Sequence, residues 1–151
     1  MRHHSLWLVG IICWLLASPA SAAETRSGQA IFKQTCANCH VEQMPADAHD
    51  RRDLIAPPMN LLTTFLRQRT GNSEAAFVEH VVEFSLKPSP DQSKIMPGAI
   101  RRFGLMPPIR TIYPDTTRED LEKVAHWLYD RYEYEQQLYR LRKHLRHRHA
   151  H

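Results

Sequence analysis

The apolar residues of this 151-residue chain recur at helical spacing in four stretches. These stretches lie at 28–35, 60–67, 73–87 and 116–129. The third begins at the pair Asn72-Ser73, which suits a helix N-cap, and Pro88 ends it. The fourth opens with Thr116 and Glu119, whose spacing predicts a capping box. No stretch alternates convincingly like a strand, so the pattern predicts an all-α fold.

Two long segments, 41–56 and 90–113, show no helical period and are predicted to be loops. Loops of this length are uncommon in a compact domain. A large buried cofactor would account for them, because it supplies apolar surface that the side chains lack. We therefore expect four to five short helices wrapped around one bound group.

The N-terminal region differs from the rest of the chain. A short basic start, an apolar run from Leu6 to Ala17 and the small residues before Ala22 predict a secretory signal peptide at 1–22. The alternative is an uncleaved anchor, but a bilayer span needs about 20 apolar residues. We therefore expect export to the periplasm, one domain at 23–132 and a C-terminal extension at 133–151.

Positive charge is concentrated at the C-terminus. The chain has 20 Lys and Arg against 16 Asp and Glu. The segment 140–151 contains only basic charged residues, namely Arg140, Arg142, Lys143, Arg146 and Arg148. A near-neutral body with a basic tail gives no support for nucleic-acid binding.

The basic tail also has a helical pattern, because Tyr134, Leu138, Leu141 and Leu145 recur at the spacing of a heptad seam. One interpretation is a solvated extension of the last helix. A second is a helix whose residues 138–148 dock on an acidic partner or an anionic membrane surface. A third is weak metal binding by the histidines of the tail.

The chemistry of the chain is indicated by a C-x-x-C-H motif at Cys36, Cys39 and His40. The two thiols are spaced to add to the two vinyl groups of a haem, and the next residue presents its imidazole to the iron. A zinc site would need two further ligands, and a thioredoxin-like motif needs a βαβ context. The motif therefore predicts one covalently bound haem c, with His40 as the proximal iron ligand.

The iron then needs a sixth ligand or an open site. Met106 is preferred, because it lies far enough downstream to reach the opposite haem face and the following prolines restrict its backbone. Met96 also precedes a proline and is the main competitor. His80 and His126 are expected to be surface or packed helix residues. The candidates weighed are Met44, Met59, Met96, Met106, His49, His80 and His126.

These residues resemble those of the class I c-type cytochromes, and a bacterial periplasmic subgroup in particular. The resemblance covers 28–132. It implies a cytochrome c-like fold in which Gly28 and Phe32 on the first helix cross the last helix, and Val124, Trp127 and Leu128 form the other side of that crossing. It also implies that a carbonyl of Pro57-Pro58 steadies His40, and that Met106 is the distal ligand.

The resemblance implies electron transport and not enzymatic catalysis. His40 and Met106 would close the iron to substrates, so the protein would carry one electron at a time between periplasmic or membrane redox proteins. One alternative is a haem subunit of a larger periplasmic oxidoreductase. The other is an open-site haem enzyme or gas sensor, which would require the methionines to fail as ligands.

Overall fold

A computed structural model of the protein describes residues 26–95 and 97–148. All the regular secondary structure in this part of the chain is helical, which confirms the predicted all-α class. Its helices are α1 Gly28–Thr35, α2 Ala48–Arg52, α3 Met59–Arg69, α4 Glu74–Leu86, α5 Pro97–Phe103, α6 Ile109–Ile112, α7 Arg118–Arg131 and α8 Tyr134–Arg148. The predicted signal peptide at 1–22 lies outside the described residues.

The prediction of four to five helices was wrong, because both supposed loops contain short helices. Helix α2 begins where the Asp47 carboxylate accepts a hydrogen bond from the His49 amide. None of its residues is buried, so it has no apolar face for periodicity to detect. Helix α6 has four residues, too few to show a period.

The capping box of α7 lies one residue later than predicted. Thr117 is the N-cap, and its hydroxyl accepts from the Asp120 amide at 3.0 Å. The Asp120 carboxylate accepts from the Thr117 amide at 3.1 Å. The Thr116–Glu119 prediction was wrong because it followed the usual Glu at the third helical position. Asp120 is used instead, and Arg26 pairs with it at 3.2 Å.

Helices α1 and α7 cross in close contact at Gly28. A Cβ atom on Gly28 would lie 2.0 Å from the Lys123 carbonyl oxygen, so only glycine fits. One turn further on, the Phe32 and Trp127 rings are 5.0 Å apart. The expected crossing of these helices is therefore present. It positions α1, and with it the C-x-x-C-H turn that follows this helix.

Helix α4 packs along the same α7 helix and completes the core. The Phe77 ring is fully buried and meets the Tyr129 ring edge-on, with centroids 5.4 Å apart. The apolar core comprises Ile31, Phe32, Met59, Leu66, Phe77, Val78, Val82, Ile109, Leu121, Val124, Ala125, Leu128 and Tyr132.

The C-terminal extension continues as helix α8, which packs against α3. The Leu138 side chain is 7% exposed. Arg67 on α3 donates to the Tyr129 carbonyl at 2.8 Å, and its guanidinium lies over the Tyr134 ring. The side chains of Leu141 and Leu145 lie outside the described set. Within the described chain, no helix combines the length and hydrophobicity that a membrane span requires.

Candidate cofactor site

A cavity of about 320 Å³ lies between the C-x-x-C-H turn, helices α3 and α4, and the segment 93–113. This volume falls within the range of about 300–1,000 Å³ that is typical of small-molecule sites. Core residues of α7, including Leu121 and Leu128, close its inner end, and most of the lining is apolar. All four predicted site residues line this cavity: Cys36, Cys39, His40 and Met106.

The C-x-x-C-H turn is a tight continuation of α1. Cys36 is the C-cap of that helix, and its carbonyl accepts from the amides of Cys39 at 3.1 Å and His40 at 2.9 Å. This turn brings both cysteines and the histidine to one wall of the cavity. Both cysteines are free thiols, Cys36 partly buried and Cys39 exposed. Burial raises the pKa of Cys36, although the contact with the Thr35 hydroxyl lowers it in part. The raised pKa favours the neutral thiol.

The His40 ring is fixed by the backbone of the first proline in Pro57-Pro58. Its Nδ1 lies 2.8 Å from the Pro57 carbonyl oxygen. A carbonyl only accepts, so Nδ1 carries the proton and Nε2 keeps its lone pair. Burial lowers the pKa of His40, and the Pro57 carbonyl only partly opposes this, so the imidazole is neutral at pH 7. A neutral imidazole held this way is the form that binds a metal.

Pro57 is itself held in place by bonds between the start of α3 and the loop after His40. The Met59 amide donates to the Val41 carbonyl at 2.9 Å. The buried Asn60 side chain accepts from the Met44 amide at 3.1 Å. These bonds tie the residues just after Pro57 to the loop that follows His40. The wall that carries His40 is therefore preorganised.

Met106 reaches the cavity from the irregular segment between α5 and α6. Gly104 ends α5 with a φ of +75°, a conformation that favours glycine. Pro107 and Pro108 follow Met106, and α6 starts at Ile109. The structure therefore places Met106 in the cavity wall, as a distal ligand requires. The competing residue Met96 lies outside the described residues.

Of the two interpretations of His80, surface residue or packed helix residue, the structure supports the second. His80 is partly buried and lines the cavity from α4. Burial and, to a smaller extent, Lys94 lower the pKa of His80 to about 4. His126 is exposed and bonds to Glu74 at 2.6 Å, so its surface prediction is confirmed.

The sequence contained a signal for His80 that the prediction underweighted. His80 lies three residues after Phe77 and four before Phe84, which places all three on one face of α4. The neighbouring Glu79 and Glu83 suggested solvent. They are exposed, and neither of them lines the cavity.

Comparison with known proteins identifies a relative of this chain. No family model and no solved structure matches it. An uncharacterized protein of Aquifex aeolicus (strain VF5) is 30% identical over 135 residues, which cover 81% of this chain and 86% of that protein. The chain belongs to the same family as this Aquifex protein.

The cavity fits a large apolar group with a few polar substituents. Three apolar side chains that line it are exposed to an unusual degree: Ile55 at 66%, Leu105 at 39% and Ile112 at 50%. Two buried hydroxyl oxygens of its lining, on Thr63 and Ser93, have no hydrogen-bond partner in the described structure. A haem has an apolar body that would cover the first set and carboxylates that could accept from the second.

The described residues contain no group of three or more His, Cys, Asp or Glu side chains arranged to hold a metal ion. A haem iron does not need such a group, because the macrocycle supplies most of its ligands and the protein supplies only axial ones. The donor set at the cavity, two imidazoles with thioether and thiol groups, is compatible with haem.

Proposed function

We propose that the chain is a monohaem class I c-type cytochrome with a cytochrome c-like fold. It carries one electron at a time between redox proteins of the periplasm. The observation that supports this most directly is the His40 imidazole, neutral and bonded to the Pro57 carbonyl at 2.8 Å, beside two free thiols on an apolar cavity. Each of these features is what covalent haem attachment requires of a protein.

The residues of the chain have separate roles in this proposal. When bound, the haem iron supplies the reversible one-electron chemistry. Cys36 and Cys39 would hold the haem covalently, and His40 would provide a nitrogen ligand to its iron. Met106 would provide a soft thioether ligand, which favours the reduced state and raises the potential. The apolar cavity acts in the same direction, because it disfavours additional positive charge.

With Met106 as a ligand the iron would be closed to substrates, so we infer a carrier and not an enzyme. The transfer partners dock briefly at the exposed edge of the cavity, where Cys39 and Ile112 lie. A permanent place in a larger oxidoreductase is the second candidate function. Helix α8 favours it, because it leaves the basic residues Arg140, Arg142 and Lys143 exposed to a partner.

The test is expression with haem-maturation machinery, followed by optical spectra of both redox states. We expect haem that survives denaturation in the wild type and in the exposed-residue control His126→Ala. Cys36→Ser with Cys39→Ser should lose covalent haem. The oxidised wild type should show the weak red-end band of iron–methionine ligation, and Met106→Ala should lose it.

Two outcomes would contradict the proposal. Absence of covalent haem from the wild type would remove the cytochrome assignment altogether. Covalent haem without the methionine band, together with immediate binding of carbon monoxide by the reduced protein, would replace the carrier with an open-site enzyme or gas sensor.

A further inference from the structure

Helix α4 presents a continuous strip of side chains to the cavity. Phe77, His80, Val81 and Phe84 follow one another at the spacing of a single helix face, and all four line the cavity. The rotation of the helix is fixed, because Phe77 and Val82 are fully buried against the core. His80 therefore faces the cavity as a consequence of core packing.

The His80 ring is held in place but chemically free. It stacks on the Phe84 ring, with centroids 5.7 Å apart and an interplanar angle of 28°. Neither ring nitrogen has a hydrogen-bond partner among the described residues, and neither is fully buried, so both remain accessible to a ligand. Its burial and the charge of Lys94 keep the imidazole neutral at pH 7, with one lone pair available.

The cavity thus contains a second potential nitrogen ligand besides His40. Met106 and His80, the two candidates for the second iron ligand, differ in how rigidly the fold holds them. Met106 lies in an irregular segment between two short helices, whereas His80 belongs to a 13-residue helix that packs along α7. A ligand on the irregular segment can leave the iron at a smaller conformational cost than α4 can move.

We propose that His80 is a reserve axial ligand, which binds the haem iron when Met106 is removed or displaced. This inference rests on the proposed haem function. An imidazole in place of the thioether would lower the potential, because methionine ligation is what raises it. The protein would then have two low-spin states with different potentials and would keep the iron closed in both.

The test compares Met106→Ala with the double variant Met106→Ala/His80→Leu. We expect Met106→Ala to stay low-spin in the oxidised form, with a bis-histidine electron paramagnetic resonance spectrum and slow carbon monoxide binding when reduced. The double variant should become high-spin and bind carbon monoxide at once. Met106→Ala/His126→Ala is the matched control and should behave like Met106→Ala.

Lys94 also lines the cavity and has a nitrogen that could bind iron, so Met106→Ala/Lys94→Leu is measured in parallel. A high-spin spectrum of this variant, with the His80 double variant unchanged, would overturn the inference. A high-spin Met106→Ala would overturn it as well. If His80→Leu prevents haem attachment, the paramagnetic spectrum of Met106→Ala alone still decides between the two nitrogen donors. Failure of the proposed function is distinct, because the wild type itself would then lack covalent haem or the methionine band.

Discussion

Substitution of Gly28 by alanine tests whether the crossing of α1 and α7 is as close as the structure shows. The new Cβ would lie 2.0 Å from the Lys123 carbonyl oxygen and 2.8 Å from the Trp127 Cβ, whereas ordinary contacts begin at 3.4 Å. The obstacle is backbone, so a change of rotamer cannot relieve the clash. The two helices must separate, and the packing of Phe32 on Trp127 must loosen.

The magnitude follows from two opposing effects. Overpacking costs about 1–3 kcal/mol, and a clash with backbone belongs at the upper end. Alanine regains at most about 1 kcal/mol of helix propensity, and less at the first helical position. We expect a net loss of about 2 kcal/mol in the free energy of unfolding, or a Tm lowered by roughly 6–10 °C for a domain of this size.

The assay is thermal unfolding followed by circular dichroism, with Gln29→Ala as the control. Gln29 is an exposed neighbour on the same helix, so its substitution should leave the Tm within about 2 °C of the wild type. Covalent haem yield should fall together with stability in Gly28→Ala, because α1 positions the C-x-x-C-H turn. An unchanged or higher Tm for Gly28→Ala would refute the close crossing.

Three further predictions concern the ends of α7 and the helix α8. The pKa of Asp120 is held below its ordinary value, since bonds from Thr117 and the charge of Arg26 outweigh its burial. Asp120→Ala should therefore cost about 1 kcal/mol at neutral pH. This difference should be lost as the pH falls below the ordinary value of 3.8, which Tm measurements across pH would show. Arg67→Met should cost about 2 kcal/mol and speed amide hydrogen exchange in α8, whereas the exposed control Arg69→Met should do neither. A chain ending at Tyr132 should lose its affinity for phosphatidylserine vesicles at low salt, by about 1 kcal/mol per basic residue removed; equal affinity of both chains would count against membrane docking.

The parts of the fold that depend on local patterning could be predicted from the sequence. The first helix has the predicted bounds, 28–35, and the cap at Ser73 is used. The short helices α2, α5 and α6 could not be predicted, because their stability comes from caps, prolines and tertiary contacts and not from an apolar period. The capping box lies one residue later than predicted because Asp120 takes the place of the usual Glu, and Arg26, distant in sequence, pairs with it.

The two walls of the candidate site could be predicted from the sequence to different extents. A local motif specifies Cys36, Cys39 and His40, so the sequence located them directly. The distal wall is built by residues from α4 and the segment 93–113, whose juxtaposition depends on tertiary packing. Met106 lines the cavity, in line with its distance along the chain, whereas the sequence did not indicate that His80 would line it as well. Local charge next to His80 indicated solvent, whereas the rotation of α4 is set by Phe77.

The joint between α3 and α8 leaves the C-terminal extension free to change in evolution. Arg67 makes its hydrogen bonds to the backbone carbonyls of Tyr129 and Tyr132, at 2.8 and 3.3 Å. Every amino acid provides a carbonyl, so substitutions at these acceptor positions leave the bonds possible. Arg67 therefore anchors the segment before α8 whatever the acceptor side chains are, and exposed residues of α8 such as Arg140 can change to suit a new partner without altering the cavity.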